Sequence, residues 1–147
     1  MRFVKTITAL ALCALAVGVV ATWASGGALI KVSKSPSLGR YVTNSSGRTL
    51  YLFRGDSGTK SNCYRKCATF WPPLLTTGKP VAGPGVTASL LGTTKRKDGK
   101  LQVTFKGHPL YTFVQDAKAG QTKGEGLKAF GANWYAMNPK GITIDKD

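Results

Sequence analysis

The stretch GRTLYLFRGD, residues 47–56, returns in variant form as GHPLYTFVQD, residues 107–116. The two share Gly, a Leu-Tyr pair, Phe and a closing Asp at matching positions. An offset of 60 residues (47 to 107) is too long for one hairpin register and fits a duplicated supersecondary unit. Side chains alternate across a strand, so Tyr51 and Phe53 share one face and Leu50 and Leu52 the other. In the second copy Tyr111 and Phe113 lie opposite Leu110 and Thr112. Large aromatics at equivalent places in two halves predict a common core to which each half contributes one aromatic strand.

Upstream of the first copy, Arg40–Thr43 is β-prone and Asn44–Gly47 is a turn, so Arg48–Arg54 reads as the returning strand of a hairpin. Upstream of the second, Leu91–Lys97 and Lys100–Lys106 flank Asp98-Gly99, a dipeptide suited to the positive φ angles of a tight turn. A further turn over Thr104–Pro109 completes a three-stranded meander, with Pro109 at a strand start or edge because it cannot donate to a ladder. After the first copy, Cys63–Trp71 reads as a short helix ended by Pro72-Pro73. After the second, Gly126–Gly131 reads as a short turn or helix, followed by late strands at Asn133–Met137 and Ile142–Ile144. The expected fold is mainly β (β-rich α+β), two tandem halves of hairpin plus short helix packed into one domain. The domain spans 38–147, with halves at about 38–78 and 88–140 joined through Lys79–Val86.

Met1–Ala24 reads as an export signal: Arg2 and Lys5 precede an uncharged apolar run, and Thr22 and Ala24 suit the −3 and −1 positions of a cut before Ser25. An uncleaved membrane anchor is the alternative, since no charge falls between Lys5 and Lys31. Cys13 is set aside as a lipidation site because bulky Leu12 precedes it. Residues 25–37, with Gly26-Gly27 and Ser35-Pro36-Ser37, read as a flexible linker. In an oxidising compartment Cys63 and Cys67 are expected to form a disulfide.

Lys and Arg number 21 against 6 acids, a formal charge of +15, or +13 once Arg2 and Lys5 are removed. Such a charge attracts polyanions at long range. Export favours anionic envelope polymers, a membrane surface or another envelope protein as partners, and moves nucleic acid down the list. The tight cluster Lys95, Arg96, Lys97 and Lys100 at the Asp98-Gly99 tip is the candidate polyanion-binding patch.

Tyr51-x-Phe53-x-x-Asp56, Tyr111-x-Phe113-x-x-Asp116, Cys63-x-x-x-Cys67-Ala68-x-x-Trp71-Pro72-Pro73-Leu74 and Phe130-Gly131-x-x-Trp134-Tyr135-Ala136 follow one another in order. This pattern resembles the bacterial secreted-repeat family, also described as predicted lipoproteins with a Y-x-(F/W/Y)-x-x-D motif, over about Leu38 to Lys140. The resemblance implies an extracytoplasmic bacterial protein, periplasmic or in the wider envelope, built from tandem repeats. It implies little about activity.

Candidate chemistry is sparse. Asp56 and Asp116 each follow an aromatic strand, where a carboxylate can hydrogen-bond loop backbone, and six acids are few for a hard-cation cage. Gly55-Asp56-Ser57-Gly58 spells the surroundings of a serine-protease nucleophile, but Ser57 precedes the single histidine, His108, and Thr59-Lys60 departs from that pattern. No catalytic residue is assigned, and a non-enzymatic module without cofactor is expected. The alternative is a copper or thiol-redox carrier: Cys63, Cys67 and His108 supply soft ligands and an imidazole, and Arg65 and Lys66 could lower a thiol pKa.

Overall fold

The computed structural model describes residues 26–146, so the readings of Met1–Ala24 and Cys13 lie outside the described residues. The chain opens with a hairpin of β1 (Leu29–Ser35) and β2 (Gly39–Asn44), paired antiparallel with Val32 opposite Val42. Most of the expected linker is therefore a strand. Ile30 is fully buried, and the Ser-Pro-Ser stretch that reads as a tether is the hairpin turn, closed by the Leu38 amide donating to Ser35 Oγ at 2.9 Å. Gly39 at φ 68° takes the left-handed conformation there.

The chain returns through β3 (Tyr51–Phe53), α1 (Lys66–Phe70), β4 (Leu75–Thr76) and β5 (Val81–Ala82), which pairs parallel with β1. The second half repeats the plan. β6 (Leu91–Lys95), β7 (Leu101–Phe105) and β8 (His108–Pro109) form an antiparallel meander, with Gly99 at φ 83° in the β6–β7 turn. The last elements are β9 (Lys128–Ala129) and β10 (Ala132–Ala136). They make a small hairpin, so of the turn-or-helix reading of Gly126–Gly131 the turn holds and the helix does not. Phe130 and Gly131 both carry positive φ, 56° and 92°, the pattern of a two-residue hairpin turn that a helix cannot contain.

Each half completes the other. The Trp-bearing segment of the first half lies against the second: Leu74 N donates to Leu110 O and Val103 N to Leu74 O, both within 2.9 Å. The Trp-bearing strand of the second half, β10, pairs with β3 of the first, and Val42 N donates to Met137 O. Tyr51 and Tyr111 exchange both backbone hydrogen bonds, at 2.8 and 3.0 Å, so a local two-fold axis passes between them. Neither half has a full set of backbone partners without the other, which is the physical reason for the duplication.

Both faces of the aromatic strands are covered. Leu50, Leu52 and Leu110 join Ile30, Val42, Val103, Phe105 and Met137 in one apolar cluster. Tyr51, Phe53, Tyr111 and Phe113 join Trp71 and Trp134 in the other. There the rings of Phe53, Trp134, Trp71 and Phe113 stack in that order at centroid spacings of 4.2, 3.9 and 4.1 Å, alternating between halves. Tyr51 meets Trp71 edge-on, and Tyr111 meets Trp134 likewise. Such pairs add about 0.5–1.5 kcal/mol each beyond area burial, so the stack is a major contributor to joining the halves.

Candidate functional site

The Tyr-x-Phe-x-x-Asp motif acts between halves. Tyr51 Oη donates to Asp116 Oδ2 at 2.6 Å, and Tyr111 Oη donates to Asp56 Oδ2 at 2.8 Å. The second oxygen of each carboxylate fastens the loop beyond it: Asp56 Oδ1 accepts from the Asn62 amide and Asp116 Oδ1 from the Lys123 amide, both at 2.8 Å. Burial raises the Asp56 pKa to about 6, opposed by the bonds from Asn62 and Tyr111 and by the nearby Arg96 charge. Burial also raises Asp116, and it raises both phenols, with the facing carboxylates pushing them further. The two acids thus serve as loop anchors.

The loop held by Asp56 is stiffened further. Asn62 Nδ2 donates to Gly55 O and to Ser57 Oγ, and Cys63 and Cys67 are joined in a disulfide that ties the loop to α1. This loop faces the start of the β6–β7 turn across a cleft of about 660 Å³. Ser57, Thr59, Asn62, Lys60, Lys95 and Lys97 line it, all six exposed.

Arg96 does not belong with the exposed lysines. It is 4 % exposed, donating from Nη1 to Ser61 Oγ and Gln102 Oε1 and from Nη2 to the Cys63 carbonyl, all within 2.9 Å. Its guanidinium also lies 4.3 Å from the Tyr64 ring centre. Arg96 lies just past the end of β6, where the chain enters the β6–β7 turn, and it takes the inward place because a planar fork can satisfy several acceptors at once. Lys100 is separated too: it lines a different groove, with Leu75 and Thr76.

The halves depart from symmetry at this point. Leu50 N donates to Val42 O as Leu110 N does to Val103 O, which makes Tyr41 the counterpart of Gln102. Tyr41 packs into the aromatic core, whereas buried Gln102 donates to the Leu110 carbonyl and accepts from Arg96. A polar network replaces an apolar plug, and the lysine cleft opens above it.

The remaining candidates are dispersed. Ser57 Oγ is bonded to the Asn62 side chain. His108 sits in a separate groove with Leu52, Arg54 and Lys106, where burial and then the two cations lower its pKa. Among the described residues no three His, Cys, Asp or Glu side chains gather as a metal group, so the structure does not bring His108 to Cys63 and Cys67. The cleft itself was not readable from sequence, because Lys60 and Asn62 lie some 35 residues before Lys95 and Lys97 and nothing local signals that they meet.

A family model described as a secreted repeat of unknown function matches residues 32–75 and 92–138, more than half of the chain and one match per half. The chain belongs to this secreted-repeat family. The two matched segments are the two structural units described above, and membership marks the protein as exported. No curated protein and no solved structure matches it. In this secreted-repeat protein the motif's Tyr and Asp are partners across the repeat boundary, so one repeat cannot satisfy its own signature.

Proposed function

We propose that this secreted-repeat protein is a non-enzymatic binding module of the cell envelope that holds phosphate-bearing anionic polymers in the Lys60, Lys95 and Lys97 cleft. The observation that carries the reading is the placement of charge. Three of the six acids are engaged internally: Asp56 and Asp116 anchor loops, and Glu125 Oε2 accepts from the Ala136 amide. The outer surface is therefore more cationic than the composition alone suggests, and the cleft concentrates that charge beside hydroxyl and amide donors. Arg96 and the disulfide hold its two walls in place, which lowers the ordering cost of binding.

The test is titration of the protein with soluble polyglycerol phosphate at low and high salt. Affinity is expected to fall with salt and to drop about tenfold or more when Lys60, Lys95 and Lys97 are replaced together by Ala. Binding by that variant as tight as wild type would overturn the reading.

A further inference from the structure

A second surface, distinct from the lysine cleft, has the make-up of an interfacial membrane contact. Trp71 and Phe113, the two neighbouring rings at one end of the core stack, are buried and form the floor of a groove of about 350 Å³. Its rim carries Phe70, Leu127 and Phe130, exposed by 38, 40 and 43 %. The rings of Phe70 and Phe130 face each other at 6.1 Å. Their exposure is not a by-product of easy local structure. Phe130 occupies a positive-φ turn position suited to Asn, Asp or Gly, where a bulky side chain is unfavourable, and it presents its ring to solvent from there. Phe70 is held at the end of α1, which the disulfide ties down.

Charge selects the occupant. Lys66 lines the groove, exposed Lys128 stands in the chain between Leu127 and Ala129, which line it, and no acid is among the lining residues. Aromatic and aliphatic side chains at the centre with lysines at the edge match the boundary between anionic headgroups and acyl chains. A symmetric contact with a second copy would set Lys66 and Lys128 near their own copies, which like-charge repulsion opposes. We propose that Phe70, Leu127 and Phe130 insert into the acyl boundary of an anionic bilayer, with Lys66 and Lys128 on its headgroups. The contact rests on the reading of an exported, polyanion-seeking protein and orients the lysine cleft relative to the membrane.

The experiment is co-sedimentation with vesicles of phosphatidylglycerol and phosphatidylcholine in equal parts, and with phosphatidylcholine alone. Phe130→Asn suits the turn and preserves the fold, and Phe70→Ser provides an independent variant. Each is expected to weaken binding to the mixed vesicles about fivefold to tenfold while leaving affinity for soluble polyglycerol phosphate unchanged. Vesicle binding that survives both substitutions overturns the inference, as does a wild-type dimer that Phe130→Asn dissolves without any change in vesicle binding. Failure of the soluble polymer to bind, with aromatic-dependent vesicle binding intact, sinks the polymer reading and leaves this one standing.

Discussion

Replacing Tyr51 by Phe removes one oxygen and keeps the ring. That oxygen donates to Asp116 at 2.6 Å and accepts from the Gly124 amide at 3.2 Å, both in buried surroundings. A hydrogen bond to a charged group contributes about 1.5–3 kcal/mol net, and a buried amide left without an acceptor costs about 1–3 kcal/mol. Tyr51→Phe should therefore destabilise the fold by about 3–4 kcal/mol in urea unfolding. The informative quantity is the coupling. A cycle with Asp116→Ala, in the other half, should give about 1.5–3 kcal/mol, whereas a cycle with Asp56→Ala, in the same half, should stay within about 0.5 kcal/mol. Tyr111 should show the mirror pattern, coupled to Asp56 and not to Asp116. Coupling within a half that equals or exceeds coupling between halves would refute the reciprocal architecture.

Two further outcomes follow from buried charge. Because burial raises Asp56 from its ordinary value to about 6, the folded protein favours the protonated acid, and this contribution to stability is present below about pH 4 and lost as pH rises through about 6. The stability of wild type relative to Asp56→Asn should fall across that window; a rise contradicts the assignment. Arg96→Ala leaves the Cys63 carbonyl and the Gln102 side chain without their donor and should cost about 3 kcal/mol, whereas Lys95→Ala and Lys97→Ala should stay within about 0.5 kcal/mol by the same denaturation assay. Equal effects at the three positions would show that Arg96 is as exposed as its neighbours.

What the sequence made legible was local or repeated. Alternation along Leu50–Phe53 separates two faces that the structure places in two different core clusters, and Asp98-Gly99 marks a turn that has little other use for that dipeptide. What it concealed was partnership. The motif's Tyr and Asp stand five residues apart in the chain, which suggests a local unit, yet the bonds they make span 65 and 55 residues. Ser35-Pro36-Ser37 reads as a tether in the sequence and is a hairpin turn in the structure, because the two draw on the same residue types. Arg96 was hidden in a basic run, since composition does not reveal which of four cations turns inward. Phe130 was unreadable as a turn residue because it violates the preference that makes such turns recognisable.

The central functional claim is that anionic polymer is held at one place on a molecule whose formal net charge is +15. Amide chemical-shift mapping during titration with polyglycerol phosphate tests it directly. Perturbations concentrated in residues 57–64 and 94–97, fading as salt is added, are the predicted result. Small shifts spread evenly over every exposed lysine would contradict it, leaving a charged surface without a site.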